Sequence, residues 1–466
     1  MSSVLKDRGQ LRMNAPMIGQ TPSELRRRVP LRDHLFLAVG LAIAVRPIID
    51  LFGRYEGSGL NAGGALGLAV AALSTLALLL SVRRLRPAGL RASMGYAAIA
   101  AIGVANLVTG GDPGGTMVSL ARFLVGYAPL LILIAVTYSD SKPAITEARF
   151  RLFLFILTAA TAIPVAIAWL QFAGVVPFTY FDYLDGSNVG RPSGGYHQPN
   201  SLGRLLVFLV LFWMIARLQG IVGTRLLIGV FVLASATVLI TTHRTSLISL
   251  VVVLLLASPT LLVGTRRPTR RLKSGIFVVT LFTSIWILGA LANITLPSAI
   301  EQRLSTTVAV LGSVFSEGES DAGPVSLRGR GEIWHESWEM FATRAPSDKL
   351  LGLGAAPREA HNELLNALSV FGLVGIVSLI GIHIAAIQFS ASSARRRLRW
   401  LIAATVAFYL LFGVTLQPLD YPYFMWLYFS ALALAAWSPP IAVASSTSGL
   451  QLPATASEFI SLELGE

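Results

Sequence analysis

The sequence predicts an all-α integral membrane protein of about twelve transmembrane helices, with a helical cap in a large outer loop between spans nine and ten. Three observations predict it. Of 466 residues, 54% are hydrophobic and only 13% are charged, and the mean hydropathy is +0.67, too apolar for a surface that meets water on every side. The apolar residues come in runs of about twenty, the length a helix needs to cross roughly 30 Å of hydrocarbon, and a helix closes its own backbone hydrogen bonds within one such run. Basic residues fall in short clusters at alternate connections, the pattern that holds those connections in the cytoplasm.

The amino-terminal tail, residues 1–33, is polar and basic through Arg26, Arg27, Arg28 and Arg32. The apolar run that begins at Leu35 continues past Arg46, Pro47 and Asp50 to Phe52, so it reads as an uncleaved first span rather than a signal peptide. Further spans are expected at Ala62–Val82, Ala92–Val108, Leu120–Tyr138, Leu152–Phe172, Leu202–Leu218, Leu226–Thr241 and Ser246–Val263, then at Ile276–Leu296, Leu364–Ile387, Leu401–Thr415 and Pro422–Trp437. The transmembrane domain therefore occupies 34–441, and the Ser/Pro/Ala-rich residues 442–466 form a cytoplasmic tail. Arg83, Arg84, Arg86 and Arg91, then Lys142, Arg149 and Arg151, Arg217 and Arg225, Arg266 to Lys273, and Arg395 to Arg399 all fall on the side of the amino-terminal arginines. That places both termini inside. No internal repeat suggests a duplicated transporter.

The net charge of +13 would suggest nucleic acid on a soluble domain. Dispersed between apolar runs, the same charge orients helices and attracts anionic lipid, so membrane lipids are expected partners and nucleic acid is not. With no cysteine, disulfides, thiol catalysis and Cys-ligated zinc are excluded.

Two outer connections are long enough to be functional, Gly174–Pro199 and the large loop 297–361. Within the latter, Ile300, Leu304, Val308, Leu311 and Phe315 recur at helical spacing, Ser316 to Gly323 break the pattern, and Ile333, Trp334, Trp338 and Phe341 form a second apolar stripe. These predict the cap, lying on the membrane surface.

Polar residues within apolar spans are costly and mark sites or pathways. Asp50, Arg46, Arg122, Asn200, Arg204, His243, Arg244, His361 and Asp420 all fall toward the outer ends of the spans. Two readings stand for Arg46 and Asp50, a mutual pair one helical turn apart or a functional group, and two for Arg122, a headgroup anchor or a site residue. His383, alone near the inner end of span ten, reads as structural. His335 and Glu336 begin a zinc-protease-like pattern, but Glu339 stands where the second histidine belongs.

The segments Leu351-Gly352-Leu353-Gly354, Ala360-His361-Asn362-Glu363-Leu364-Leu365 and Phe371-Gly372-Leu373-Val374-Gly375 resemble the signature of the O-antigen ligase and polymerase family. Gly194-Gly195-Tyr196-His197-Gln198-Pro199-Asn200, Thr242-His243-Arg244-Thr245-Ser246 and Arg328-Gly329-Arg330 with Ile333-Trp334 sit where that family has corresponding pieces. His243, directly before the arginine, and Val370-Phe371, where an acidic residue often precedes the glycine, depart from it.

The resemblance implies a glycosyltransferase in the bacterial inner membrane that moves a glycan from an undecaprenyl diphosphate carrier to a glycan or lipid acceptor at the outer face, with no cofactor and no metal. No Asp-x-Asp triplet occurs in the chain. Arg244 and Arg330, with Arg328 and Arg191 next, are the expected diphosphate ligands, because guanidinium groups pair bidentately with phosphate oxygens. His361 is the expected general base, its imidazole having a reference pKa of about 6.5; the alternative reading makes it a hydrogen-bonding cap on span ten. Asn362, Asn200, Arg204 and Arg122 complete the expected substrate-binding set. Ligase and polymerase are not separable from these motifs. A multi-span solute transporter and a non-catalytic cell-envelope scaffold are the competing classes, and a transporter should place its ionisable residues near the bilayer midplane.

Overall fold

The computed structural model describes residues 31–51, 62–85, 87–110, 112–137, 146–177, 191–196, 199–241, 243–262, 327–356 and 361–437. Its helices are α1 (Leu31–Ile49), α2 (Ala62–Ser81), α3 (Pro87–Thr109), α4 (Pro113–Thr137), α5 (Glu147–Phe172), α6 (Pro199–Leu218), α7 (Thr224–Thr241) and α8 (Arg244–Leu262). Within the large loop lie α9 (Leu327–Ala342) and α10 (Pro346–Leu351), and after it come α11 (Glu363–Ser393), α12 (Leu398–Thr415) and α13 (Pro422–Ala436). Eight of the described helices are long and apolar enough to cross a membrane. The shorter apolar stretches Thr245–Leu256 and Pro422–Ala436 lie in α8 and α13. The ninth expected span, Ile276–Leu296, the first apolar stripe of the cap, residues 1–30 of the amino-terminal tail and the carboxyl-terminal tail fall outside the described residues.

Burial sorts the helices. The apolar window of α6 is 83% buried, against 28% for α2 and 33% for α3, so α6 is the axis and the other two are peripheral. Phe208 and Phe212 of α6 pack against Phe408, Phe424 and Phe153 of α12, α13 and α5. Leu79, Val108, Phe155, Val377 and Leu410 are exposed, as befits side chains that face hydrocarbon rather than water.

The tenth expected span, Leu364–Ile387, lies within α11, and that helix is broken at Gly372, where φ is 67° and ψ −168°. A short helix, Glu363 to Phe371, precedes the break, and the longer segment after it runs to Ser393.

The freed backbone groups find partners. Leu353 N–H donates to Ser369 O (2.9 Å), Gly354 N–H to Val370 O (3.0 Å), and Asn106 Nδ2 to Val370 O (3.3 Å) and Leu351 O (2.8 Å). Arg344 reaches Ser369 O at 3.2 Å. Non-helical backbone is tolerated at such a place only when protein groups replace the lost bonds. Glycine is required on both sides of the contact: a Cβ on Gly372 would lie 2.4 Å from Leu350 O, and one on Gly352 2.3 Å from Val370 O. The Leu-Gly-Leu-Gly and Phe-Gly-Leu-Val-Gly segments are thus the two halves of one backbone clasp.

His383 is buried, as its structural reading requires, but it is not without polar neighbours. Tyr127 Oη lies 2.9 Å from its Nε2 and Tyr428 Oη 3.4 Å from its Nδ1, and the rings of Tyr409 and Phe429 flank it. The hydroxyls come from α4 and α13, far away in the chain.

Candidate functional site

The helix ends expected to face outward are tied together by side chains. Arg46, near the end of α1, pairs with Asp50 and stacks over Trp426 at 4.9 Å. The mutual-pair reading of these two is therefore the one the structure shows. Tyr196 Oη donates to Pro47 O at 2.9 Å; burial and the nearby Asp50 carboxylate raise its phenol well above the ordinary range, so it stays a donor. The turn that carries Tyr196 is held by Gln171 at the end of α5, whose Oε1 accepts from the N–H groups of Ser193 and Gly194, both at 2.9 Å. Gly194 and Gly195 have φ of 68° and 84°, left-handed values that glycine adopts without strain.

Arg191 opens this turn and is 7% exposed. Its guanidinium donates to Thr241 O at 2.9 and 3.0 Å, closing the carboxyl end of α7, and to Asn200 Oδ1 at 3.3 Å. A cation on the last carbonyls of a helix is favoured by the helix dipole as well as by the hydrogen bonds. Arg191 therefore fixes the turn that leads from Thr241 to Arg244.

Arg204, one turn below Asn200 on α6, donates from Nε to Asn200 O at 2.9 Å. Its guanidinium lies over Tyr421 at 4.1 Å and Phe412 at 4.8 Å. Next to Tyr421, Asp420 pairs with Arg122 of α4 at 2.8 Å. Arg122 keeps a side-chain exposure of 45%, while Arg204 is buried. His243 is 2.5 Å from Ser246 Oγ, and Thr245 reaches Thr415 at 3.4 Å, which joins the start of α8 to the end of α12.

His361 and Asn362 enter α11. Asn362 is the cap: its Oδ1 accepts from Leu364 N–H (3.0 Å) and Leu365 N–H (3.2 Å). Asn362 thus caps the start of α11 through its side chain. His361 is partly exposed and has φ of 47°, the left-handed value among described non-glycine residues, a local strain that such sites carry when the surroundings enforce it. The following residue, Glu363, is 3% exposed. Its Oε2 accepts from Leu419 N–H at 3.1 Å, and its buried Oε1 has no hydrogen-bond partner among the described residues.

Of the expected site residues, Arg191, Asn200 and Arg204 therefore share direct contacts, and Arg122 joins them through the Asp420–Tyr421 step. Glu363 brings the His361–Asn362 entry of α11 to the same α12–α13 turn. Arg244 begins α8, and Arg328 and Arg330 lie in the first turn of α9; the described geometry covers their backbone only. His335 and Glu339 form an exposed pair at 3.0 Å, one turn apart on α9. Sequence reasoning missed Asn106, Gln171 and Glu363. Each is a polar residue at the margin of an apolar run, the signal that singled out Arg46 and Arg122.

These features define a class first: a multi-pass helical membrane protein that gathers arginine, asparagine, carboxylate and aromatic side chains at one end of its bundle. A narrower likeness comes from sequence. Residues 229–380 match the family model described as O-Antigen ligase, which supports the family that the motifs resemble. The match contains the His243–Ser246 turn, α9 and the Gly352–Gly372 clasp. Comparison with curated proteins finds no match.

Proposed function

We propose that this protein transfers a glycan from an undecaprenyl diphosphate carrier to an acceptor at the outer face of the bacterial inner membrane. The observation that carries the reading is a coincidence of sequence and geometry. The family segment contains Arg244, Arg328, Arg330 and His361, and contacts tie the starts of α8 and α11 to the helix ends that hold Arg122, Arg191 and Arg204.

In this reading His361 removes the proton of the acceptor hydroxyl as that oxygen attacks the anomeric carbon of the donor sugar. The bond from that carbon to the carrier's diphosphate breaks, and negative charge collects on the departing phosphate oxygens. Arg244 and Arg330 stabilise that charge, with Arg328 and the exposed Arg122 at its edge. Arg191 acts by positioning, since it closes α7 three residues before Arg244. Asn362 positions His361 by fixing the first turn of α11. Asn200 and Arg204 hold the Tyr421 side of the site. Arginines do here what a divalent cation does in metal-dependent transferases.

The test uses purified protein in lipid discs, an undecaprenyl diphosphate-linked oligosaccharide and a panel of acceptors, with and without chelator. Transfer is expected in both conditions, and His361→Ala and Arg244→Ala should each abolish it without lowering the amount of protein in the membrane. Near-normal transfer by His361→Ala removes the base. A deletion strain separates the subclasses: loss of a polymerase leaves single repeats on the final acceptor, whereas loss of a ligase leaves long chains on the carrier. Because the chain has no cysteine, single-cysteine labelling at Thr245 and Ala360 reports sidedness directly, and labels on opposite faces would end the proposal.

A further inference from the structure

The first turn of α9 carries Arg328 and Arg330, so two of the proposed diphosphate ligands stand at one end of a helical rod. Arg330 precedes Ala342, the last residue of that helix, by twelve positions, about 18 Å at the helical rise. A tilt of about 5° at the carboxyl end therefore carries Arg330 sideways by about 1.6 Å. A misplacement of about 1 Å can cost on the order of a hundredfold in rate, so what fixes the far end of α9 bears on the chemistry.

One side of the helix is buried through Ser337 and Phe341, while His335, Glu336, Trp338 and Glu339 are exposed. Burial selects the face that packs. It is non-directional, however, and leaves tilt and sliding to other contacts. Ser337 Oγ donates to Ile333 O at 2.7 Å and His335 pairs with Glu339, both within α9 itself. Just past the last turn, Arg344 crosses to the bundle. Its Nη1 donates to Ser369 O at 3.2 Å and its Nη2 to Ser369 Oγ at 3.4 Å, and the ring of Phe341 lies 5.8 Å from its Cζ. Ser369 belongs to the last turn of the short helix before the break at Gly372, and its carbonyl also accepts from Leu353 N–H. A cation at the carboxyl end of a helix is favoured by the open carbonyls and by the dipole. A guanidinium fork fixes direction as well as distance, which apolar packing does not. The helix so gripped begins at Glu363, directly after His361 and Asn362.

We propose that Arg344 is a positioning residue for glycan transfer: by holding Ser369 it sets the angle between α9 and the short helix of α11. That angle fixes how far the arginines at the start of α9 stand from the histidine that takes the acceptor's proton. The inference rests on the function proposed above, and Arg344 acts through those groups rather than on the substrate.

The experiment places two cysteines, Glu336→Cys and Leu364→Cys, at exposed positions of the full-length chain, which has none of its own. Spin labels on them, in lipid discs, report the distance between α9 and the short helix by pulsed electron paramagnetic resonance. Arg344→Gln should shift or broaden that distance distribution, and Arg344→Lys, which keeps the charge without the fork, should fall between the variant and the parent. In the unlabelled chain, Arg344→Gln should lower kcat for transfer by about tenfold or more and change the donor KM by less than about threefold, with partial recovery in Arg344→Lys. A contact that only stabilises the fold predicts a lower melting midpoint with the distance and the kcat of the folded protein unchanged. An unchanged distance distribution overturns the proposal whatever the activity, and so does an altered distribution with normal kcat. If Arg344→Gln does not fold, Ser369→Ala, which keeps the carbonyl and removes the longer contact, carries the same two readouts with a smaller expected change. Absence of transfer by the parent chain would be a failure of the functional reading, and the distance measurement would then decide the grip of Arg344 by itself.

Discussion

Replacing Gly372 with alanine tests whether the break in α11 is built into the fold. At φ 67° and ψ −168° a residue with a Cβ carries about 1–3 kcal/mol of backbone strain. The new methyl would also lie 2.4 Å from Leu350 O and 2.5 Å from Gly352 N, both backbone atoms that cannot rotate aside. Relief requires α10 to withdraw, which breaks the bonds from Leu353 N–H to Ser369 O and from Gly354 N–H to Val370 O. A buried group left unpaired costs about 1–3 kcal/mol, so the total loss is on the order of 3 kcal/mol. The control is Gly381→Ala in the same helix, where no atom lies within 4 Å of the added carbon and up to about 1 kcal/mol of helix propensity is gained. Scanning fluorimetry of the detergent-solubilised protein should show Gly372→Ala unfolding several degrees lower, on the order of 5 °C, with glycan transfer lost, and Gly381→Ala unchanged or slightly higher. Equal midpoints for the two variants would refute the clasp.

Arg204→Lys keeps the charge but gives up the planar stack on Tyr421 and Phe412; a loss of about 1–2 kcal/mol predicts a fall of roughly five- to thirtyfold in kcat/KM. Asn362→Ala removes the cap of α11 and should cost about 1 kcal/mol of stability, while Asn362→Asp, which keeps the accepting oxygen, should hold the melting midpoint. A double-mutant cycle of Arg122→Gln and Asp420→Asn should return a coupling of only about 0.2–1 kcal/mol, since the arginine is 45% exposed. Asn106→Leu should destabilise by about 1–3 kcal/mol, because it strips the carbonyls of Leu351 and Val370 of their side-chain donor.

The bundle was legible because its signal is compositional. Runs of apolar residues set the helices, and the described helices overlap the expected spans, with ends that differ by up to seven residues at the start of α4. The break in span ten was not legible, since glycine is common in membrane helices and only the opposing Gly352 backbone shows why Gly372 leaves the helical region. The gathering of Arg46, Arg122, Asn200 and Arg204 toward one end was readable from their depth in each span. Their partners were not. Tyr421 and Asp420 come from the α12–α13 turn and Trp426 from α13, more than two hundred residues beyond Arg204, and periodicity carries no information across such a separation. Asn362 shows the opposite failure: its role as a cap is local and readable from the residue type, yet the neighbouring histidine drew the capping reading instead.

The partner sets of the buried polar groups separate scaffold from candidate chemistry. Arg191 and Gln171 bond to backbone carbonyls and amides, with Asn200 Oδ1 as a further acceptor for Arg191, which is what a scaffold requires of a polar group in an apolar surrounding. Glu363 does so with one oxygen only. Leu419 N–H satisfies Oε2, and Oε1 is buried without a hydrogen-bond partner among the described residues, an arrangement that costs free energy whether the carboxyl is charged or neutral. Two residues away, His361 holds a left-handed backbone conformation. An unsatisfied acceptor and a strained histidine on the same turn are difficult to explain by packing alone, whereas a site that completes its hydrogen bonds only when a hydroxyl-rich substrate arrives accounts for both. Glu363→Gln separates the two accounts. The amide keeps the oxygen that accepts from Leu419 and adds a donor, so a packing role predicts normal transfer at every pH, while participation in the substrate's hydrogen bonds predicts a raised KM and an altered pH profile at unchanged stability.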